Sequence, residues 1–383
     1  MNFYLVFDHY YSGIIQSQVI DLIESLEEQT EEKFKILVFV NVKRFKEARA
    51  AYANNAARVS VLPNFGFSRW HWSLPFLIFF GLVFRPKVVI GRSIFANQLA
   101  LKLKNIGLAK EVVLDARGAE YAEWSEYFFK ENEGPVSNEE VFRLEKKSVE
   151  ESDRLLAVSS QLKAYWRNTL KSEFTDLDSM VIPSTLSESF TNRRDSWDVR
   201  DRVRKTMNVE DHEVLIVFSG SNSDWHSIEK VVAFCDELLE INSDLKFLFL
   251  TNSVLETESF PRLKERLIVK WVGQEHVMEY LLASDYGLLI RDDSITNQVS
   301  SPVKFAEYLA CGNRIIISEN IGDFSRLVSN QKLGIVVKDW QIKHAIDTFQ
   351  KKERLRLAEF GYSMFTKSKC LNAYRSVFFG SKA

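Results

Sequence analysis

The chain has few of the features that a disulfide-bonded, metal-binding or membrane-spanning protein needs. Its three cysteines, Cys235, Cys311 and Cys370, are widely spaced and match no zinc or redox motif, which favours a reducing compartment. The longest apolar run without Asp, Glu, Lys or Arg, at 70–84, has fifteen residues and is too short to span a bilayer. The N-terminus has no basic segment followed by a small-residue cleavage site, so we expect no signal peptide.

Acidic residues are almost missing from one part of the chain. Residues 33–110 contain fourteen Lys or Arg and a single acid, Glu47, for a net charge of +13. The whole chain carries −2, so the remaining residues carry −15. This asymmetry indicates that one part of the protein meets an anionic partner.

The same region contains an apolar stretch between basic residues, at 69–92. One interpretation is a helix that packs on a sheet. The other is a surface that rests on anionic lipid, with Trp70 and Trp72 at headgroup level. Nucleic acid is disfavoured as a partner, because no nucleic-acid-binding module is present. We therefore expect a cytoplasmic protein, and peripheral attachment to the inner face of the cell membrane remains an open alternative.

Runs rich in Val, Ile, Leu and Phe alternate with longer stretches of helical period. Seven predicted strands lie in the first half, at 3–7, 35–40, 58–62, 87–91, 111–115, 154–158 and 180–183. Six lie in the second half, at 213–219, 245–251, 267–272, 286–290, 314–318 and 333–337. Such alternation of continuously apolar strands with helices argues for parallel sheets that are covered on both faces.

The length of 383 residues favours two domains, and a polar, turn-prone segment at 183–198 separates the two halves. We predict an α/β protein of two doubly wound, Rossmann-like domains that face a cleft. Their predicted bounds are 1–185 and 186–361. Ligands of such sheets bind at the carboxyl ends of the strands.

The segment SPVKFAEYLACG, at 301–312, predicts a short helix with Ser301 as its N-cap and Gly312 at its end. Lys304 falls in the first turn, where the helix dipole disfavours a cation, and Glu307 follows one turn later. A phosphate at the helix N-terminus would explain the lysine, and Glu307 would then accept hydrogen bonds from ribose hydroxyls. The alternative is an ion pair between Lys304 and Glu307, which contributes about 0.3 kcal/mol when solvated.

The stretches at 279–291 and 301–323 resemble the donor-nucleotide signature of retaining glycosyltransferases of family 4, which have the GT-B fold. Other landmarks follow in the order of that family: YYSGI at 10–14, GRS at 91–93, DARG at 115–118, ESDRLLAVSSQLK at 151–163 and VIPS at 181–184. The resemblance implies transfer of a sugar from a nucleotide diphosphate sugar to a glycan or lipid-linked acceptor, with retention and without a cofactor. It also implies that Glu307 binds the ribose and that the last helix, at about 362–383, packs back on the first domain.

Two departures from the family pattern affect the expected phosphate site. The family carries a second Glu eight residues before the ribose-binding one, but Val299 occupies that position here. Its Gly-Arg and Lys-Gly pair is replaced by FSGSNSDWHSIEK at 218–230. Phosphate binding would then rest on Arg291 and Lys304 as catalytic residues. Further donor-binding candidates are Ser219, Gly220, Ser221, Asn297 and Ser301.

The first half contains a second group of candidates. Gly13, in YYSGI, either lets the backbone approach a diphosphate or sugar, or serves only as a turn glycine. Asp115 and Arg117 follow a predicted strand, and they either orient an acceptor hydroxyl as catalytic residues or form a structural ion pair. Arg92 and His9 are acceptor-side candidates.

A metal site is not expected, because Asp292 and Asp293 are adjacent instead of forming the Asp-x-Asp pattern that holds a divalent ion on a diphosphate. The favoured donor is a UDP-sugar, and the favoured setting is the synthesis of cell-surface polysaccharide. Two other functions stay open. One is an epimerase of nucleotide sugars with the same fold, and the other is a catalytically degenerate partner subunit.

Overall fold

The computed structural model describes residues 1–8, 10–128, 135–191, 197–220, 227–342 and 346–380. The chain forms two compact units. The first comprises Met1–Pro183 together with Lys367–Ala383, and the second comprises Ser184–Thr366. The predicted bounds differ by a few residues, because the helix that ends the second unit runs as far as Phe365.

The first unit contains a parallel sheet of seven strands in the order β3-β2-β1-β4-β5-β6-β7. Its strands are β1 (Asn2–Phe7), β2 (Phe34–Asn41), β3 (Val59–Asn64), β4 (Val88–Arg92), β5 (Glu111–Ala116), β6 (Arg154–Ala157) and β7 (Ser179–Val181). Its first eight helices are α1 (Gly13–Ile15), α2 (Asp21–Gln29), α3 (Phe45–Ala51), α4 (Leu74–Phe84), α5 (Ile94–Asn105), α6 (Glu120–Glu123), α7 (Asn138–Glu151) and α8 (Ser160–Asn168). Short 3₁₀ or π segments lie at Gln16–Ile20, Val42–Arg44, Ala53–Asn55, Phe67–Ser73 and Trp124–Phe128.

The central strand β1 is apolar because both of its faces are covered. Tyr4 and Val6 belong to the core under α2, whereas Phe3, Leu5 and Phe7 belong to the core under α5. All six residues of β1 are buried. A strand in this position has no face for water, which explains the unbroken apolar run at 3–7.

The second unit contains a parallel sheet of six strands in the order β10-β9-β8-β11-β12-β13. The strands are β8 (Val214–Ser219), β9 (Leu245–Leu250), β10 (Leu267–Lys270), β11 (Tyr286–Leu289), β12 (Arg314–Ser318) and β13 (Gly334–Val337). The helices are α9 (Glu188–Thr191), α10 (Trp197–Thr206), α11 (Ile228–Ile241), α12 (Pro261–Arg266), α13 (Gln274–Ala283), α14 (Ile295–Gln298), α15 (Val303–Ala310), α16 (Phe324–Gln331) and α17 (Lys351–Phe365). Each of the thirteen predicted strands overlaps one of these strands, so the two wound halves are confirmed.

The last helix, α18 (Lys367–Phe379), belongs to the first unit. Its Phe378 contacts Tyr4 of β1, with ring centroids 6.4 Å apart. Arg154 of β6 donates hydrogen bonds to the carbonyl oxygens of Val377 and Phe378, at 2.7 and 2.9 Å. The terminal segment is therefore two helices with a break at Thr366, and only the second packs on the first sheet.

None of the helices in the described ranges is both long enough and apolar enough to cross a membrane.

Candidate active site

The first sheet changes its direction of winding between β1 and β4, and a cavity of about 430 Å³ opens at the carboxyl ends of these strands. Ligands of open parallel sheets bind at such switch points. The cavity is lined by residues at the end of β1, at the end of β4 and just after β5. Its position is the one that the fold predicts for a ligand site of the first unit.

Five aromatic side chains line this cavity and are called the aromatic wall here: Phe7, Phe67, Phe95, Trp124 and Phe128. Their rings touch one another. The Phe67 centroid lies 5.0 Å from that of Phe95 and 5.4 Å from that of Trp124. Such a surface packs against apolar parts of a ligand. Sequence reasoning missed these residues, because they come from four separate segments with no common period.

Arg92 and Arg117 add two cations to the lining, and Asp115 holds both of them. Arg117 Nε lies 2.8 Å from Asp115 Oδ1, and Arg92 Nη1 lies 3.6 Å from Asp115 Oδ2. Tyr4 donates its hydroxyl hydrogen to the same carboxylate. Asp115 is 0% exposed, so it does not reach a ligand. The predicted contact between Asp115 and an acceptor is therefore corrected: its buried carboxylate is the shared ion-pair partner of the two arginines.

The protonation of this cluster follows from its burial and its charges. Burial, and then the Asp115 charge, raise the pKa of the Tyr4 hydroxyl, so it remains a hydrogen-bond donor. Burial acts to lower the pKa of the Arg117 guanidinium, but the charges of Asp115, Tyr374 and Tyr4, together with the hydrogen bond to Asp115, outweigh burial and the pKa is raised. Arg117 therefore remains a cation beside the cavity.

Two carboxylic acids on α6 complete the lining, and sequence reasoning missed both. Burial raises the pKa of Glu120 well above its usual range, and the nearby Glu145 adds to this shift. Burial also raises the pKa of Glu123. Glu120 Oε1 accepts a hydrogen bond from the Ile94 N–H at 2.7 Å. The signal for these acids is their spacing of three residues just after DARG, which places them on one face of a helical turn.

The second sheet changes its direction of winding between β8 and β11, where the donor residues were predicted. Ser219 ends β8, but its N–H donates to the Tyr308 hydroxyl at 3.0 Å. The Gly220 N–H donates to the Leu250 carbonyl oxygen at 3.2 Å. These two backbone N–H groups are already engaged, so a hydrogen bond from either of them to a phosphate is not supported, while a contact of the Ser219 hydroxyl stays a prediction. The predicted Ser221 lies outside the described residues.

Arg291 follows β11 and is supported by Asn297. Arg291 Nη1 donates to Asn297 Oδ1 at 3.2 Å, and Asn297 Nδ2 donates to the Asp292 carbonyl oxygen at 3.0 Å. Asn297 is 0% exposed. The geometry thus assigns Asn297 to the orientation of Arg291 instead of the predicted contact with the donor. Arg291 also lines a smaller cavity of about 120 Å³ at the ends of β11, β12 and β13.

Helix α15 carries the two central candidates, Lys304 and Glu307. Lys304 Nζ lies 2.8 Å from Glu307 Oε2, so the ion pair considered as the alternative is present. The Lys304 side chain is 29% exposed and the Glu307 side chain 8%. A phosphate at the N-terminus of α15 would have to share Lys304 with Glu307. The Lys304 side chain is partly exposed, so it is accessible to such a ligand.

The start of α15 differs from the prediction. Pro302, with φ −64°, occupies the N-cap position, and the Ser301 hydroxyl instead accepts a hydrogen bond from the Ser184 N–H at 3.0 Å. Ser301 is therefore used to hold the start of the second unit, and its predicted donor contact is not supported. The predicted end is confirmed, since Gly312 has φ +75°, a conformation that glycine adopts readily.

Two further candidates lie near the end of β1. Gly13 begins α1, and the Ser12 hydroxyl caps this helix by accepting from the Ile15 N–H at 3.4 Å. The positive-φ glycines do not include Gly13, so the positive φ that favours glycine in tight turns is not needed there. The predicted His9 lies outside the described residues. In the part of the chain that the structure describes, no group of three or more His, Cys, Asp or Glu side chains is placed to hold a metal ion.

No family model matches the chain, and no curated protein sequence matches it at a significant level. Solved structures match it over its full length. Sucrose-phosphate synthase from Thermosynechococcus elongatus superimposes with a TM-score of 0.70 and 13% identity over 100% of both chains. The chain has the GT-B fold.

Two further GT-B structures support this assignment. The catalytic domain of starch synthase IV from Arabidopsis thaliana, bound to ADP and acarbose, gives a TM-score of 0.65 at 10% identity, over 99% of this chain and 98% of that one. WaaG, a glycosyltransferase involved in lipopolysaccharide biosynthesis, gives 0.61 at 9% identity over 100% of both chains. The predicted fold class of two Rossmann-like domains is thereby confirmed as GT-B.

Proposed function

We propose that the protein is a glycosyltransferase that moves a sugar from a nucleotide diphosphate sugar to a glycan or lipid-linked acceptor. The observation that carries this proposal is the cavity of the first unit, where the aromatic wall meets two arginines and two carboxylic acids at a strand switch point. Aromatic rings suit the apolar faces of an acceptor, and the charged groups suit its hydroxyls or phosphates. Arg92 and Arg117 are the acceptor-side residues in this proposal.

The donor belongs to the second unit in this proposal. When the nucleoside diphosphate leaves, negative charge develops on its β-phosphate, and fixed cations near that oxygen lower the barrier. Lys304, Arg291 and the N-terminal dipole of α15 supply this stabilisation, while Glu307 binds the ribose. This role for Glu307 follows from the resemblance to family 4.

The resemblance also supports retention of the anomeric configuration, with the leaving phosphate helping to deprotonate the acceptor hydroxyl on the same face of the sugar. UDP-sugars remain the favoured donors, and no metal or other cofactor is required in this scheme. The proposed setting is synthesis of cell-surface polysaccharide at the cytoplasmic face of the cell membrane. WaaG, a glycosyltransferase involved in lipopolysaccharide biosynthesis, is a structural neighbour that fits this setting.

A thermal-unfolding screen with UDP-, GDP-, ADP- and CMP-sugars tests the donor half of the proposal. A ligand at one hundred times its dissociation constant adds ~2.7 kcal/mol to the free energy of unfolding. We expect one class of nucleotide sugar to stabilise the protein and Lys304→Ala to remove that stabilisation. Lys264→Ala, which breaks an exposed ion pair with Glu258 in the same unit, is the matched control and should leave it intact. Absence of stabilisation by all four classes would contradict the proposal.

The degenerate partner subunit is a second candidate, and Val299 favours it. The position of the second family Glu holds an apolar side chain that is 3% exposed. This candidate would be favoured if a nucleotide sugar stabilised the protein but was neither hydrolysed nor used for transfer to any acceptor of a broad panel. Release of a free epimeric nucleotide sugar without any acceptor would instead favour an epimerase.

A further inference from the structure

Helix α4 has no polar side chain on any face, yet most of it is exposed. Its residues Leu77 and Gly81 are buried, and a Cβ on Gly81 would meet the side chains of Leu103 and Leu108. This side of α4 packs on α5 and the turn that follows it. The opposite side faces solvent with large apolar groups, which is the reverse of what a surface helix normally presents.

We call the exposed side, together with Trp72 of the preceding 3₁₀ segment, the outer face of α4; its members are Trp72, Phe76, Phe79, Leu82 and Val83. Phe79 is 64% exposed, Val83 58%, Leu82 56% and Trp72 51%. Spacings of three and four residues place Phe76, Phe79 and Val83 on one side of the helix. Soluble monomers rarely expose so many large apolar side chains side by side, so the outer face indicates a contact surface.

Aromatic contacts connect the outer face with the segment before α4. The Phe65 ring lies 5.8 Å from the Trp72 ring and 6.5 Å from the Phe76 ring. The 3₁₀ segment that bears Trp72 also bears Phe67, which belongs to the aromatic wall of the cavity. One short segment therefore joins the outer face to the candidate acceptor site.

The charged residues that flank the outer face in the sequence all have one sign. Arg69 lies over the Trp72 ring, 5.1 Å from its centroid, and Arg85 and Lys87 follow the other end of the helix. All three are exposed. The sequence contains no Asp or Glu between residues 48 and 110. A partner of this surface is therefore both apolar and anionic.

We propose that the outer face of α4 lies in the interfacial layer of an anionic phospholipid bilayer. The helix would lie parallel to the membrane, with Trp72 at headgroup level and the cations at both ends near lipid phosphates. A second copy of the chain is a poorer occupant, because pairing two outer faces would bring Arg69, Arg85 and Lys87 of both copies together. An anionic lipid surface offers apolar contacts to the exposed side chains and phosphates to the cations.

This membrane contact does not depend on the transfer reaction. Its consequence for the acceptor does rest on the proposed function. Since the 3₁₀ segment at Phe67–Ser73 contributes to both surfaces, an acceptor anchored in the same bilayer would enter the cavity along the aromatic wall. The membrane contact thus favours the lipid-linked class of acceptor over a free glycan.

Co-sedimentation of the full chain with vesicles tests the contact without any nucleotide sugar. We expect binding to vesicles that contain phosphatidylglycerol, weaker binding to pure phosphatidylcholine, and a loss of binding as salt screens the cations. Phe79→Asp should reduce binding to phosphatidylglycerol vesicles at least about tenfold, because it places a charge at the centre of the outer face. Leu177→Asp, at a 99% exposed position of the same unit, is the matched control and should bind as the unaltered protein does.

Three outcomes would overturn the inference. The first is undiminished vesicle binding by Phe79→Asp at an unchanged unfolding temperature, and the second is no vesicle binding by the unaltered protein. The third is a dimer in light scattering that Phe79→Asp converts to a monomer, which would assign the outer face to a second copy. Each result leaves the nucleotide-sugar test unaffected, so the two proposals fail separately.

Discussion

Lys304 and Glu307 form an ion pair of 2.8 Å on one face of α15, with the carboxylate much less exposed than the ammonium. A solvated pair of this spacing contributes only about 0.3–0.5 kcal/mol, so stability alone is a weak reason for it. If a donor binds here, Glu307 receives hydroxyl groups of the ribose while Lys304 turns to the phosphate. The pair then organises two ligand-binding groups in the unliganded protein.

Glu307→Gln tests this view of the pair. We expect it to weaken UDP binding about tenfold, because one charge-assisted hydrogen bond to the ribose becomes a neutral one. Isothermal titration calorimetry with UDP measures the change. Glu258→Gln, which breaks the exposed pair with Lys264, should leave the affinity unaltered. Equal affinity of Glu307→Gln and the unaltered protein would remove Glu307 from the donor site.

Asp115→Asn should lower the free energy of unfolding by about 3–5 kcal/mol, because it leaves the buried guanidinium groups of Arg92 and Arg117 without their counter-charge. Urea denaturation measures this loss. Glu47→Gln is the control, since its pair with Arg44 is exposed on both sides and contributes little. A loss no larger than that of Glu47→Gln would show that Asp115 does not hold the cluster together.

Glu145→Gln should change how stability depends on pH. Burial raises the pKa of Glu145 to about 7, above its ordinary value of 4.5, while the Tyr121 N–H donates to it at 2.7 Å. The folded state therefore keeps a proton that the unfolded state has lost. This stability is fully present below about pH 4.5 and is lost as the pH rises to about 7.

We expect Glu145→Gln to flatten the fall in unfolding free energy over this interval, as measured by urea titrations at several pH values. Glu140→Gln changes a partly exposed acid of the same helix and serves as the control. Because Glu145 also raises the pKa of Glu120, the substitution should lower that pKa and ionise an acid of the cavity at a lower pH. An unaltered pH slope would contradict the assignment.

Gly287→Ala should destabilise the second unit, because the added Cβ would lie 2.2 Å from carbons of the Tyr308 ring. The ring is 0% exposed, and its hydroxyl accepts the Ser219 N–H, so it has no room to move. Overpacking of this kind lowers the free energy of unfolding by about 1–3 kcal/mol. Gly118→Ala, whose Cβ would meet nothing nearer than 4.0 Å, should be neutral when both variants are compared by thermal unfolding.

Several site predictions failed where the outcome depended on a partner far along the chain. Ser301 is not an N-cap, because its hydroxyl oxygen instead accepts a hydrogen bond from the N–H of Ser184, 117 positions earlier. Asp115 does not line the cavity, and its buried carboxylate accepts a hydrogen bond from the hydroxyl of Tyr4, 111 positions earlier. Local spacing identifies a residue type that suits a site. It does not show which distant group will form a hydrogen bond or an ion pair with that side chain.

What the sequence by itself determined is the pair of wound halves. A strand that is buried on both faces is mostly apolar, so the runs at 3–7 and 214–218 could be recognised one by one. It also determined the lack of acids at 48–110 and the cation at the start of α15.

Only the tertiary structure decided which of these residues are exposed and which residues they contact. Whether α4 packs both faces or exposes one, which aromatic rings meet in a cavity, and which carboxylate lies beneath two arginines all depend on contacts between distant segments. Burial is a property of the packed chain. The sequence of a helix that is apolar on every side does not show whether protein or another apolar partner covers it.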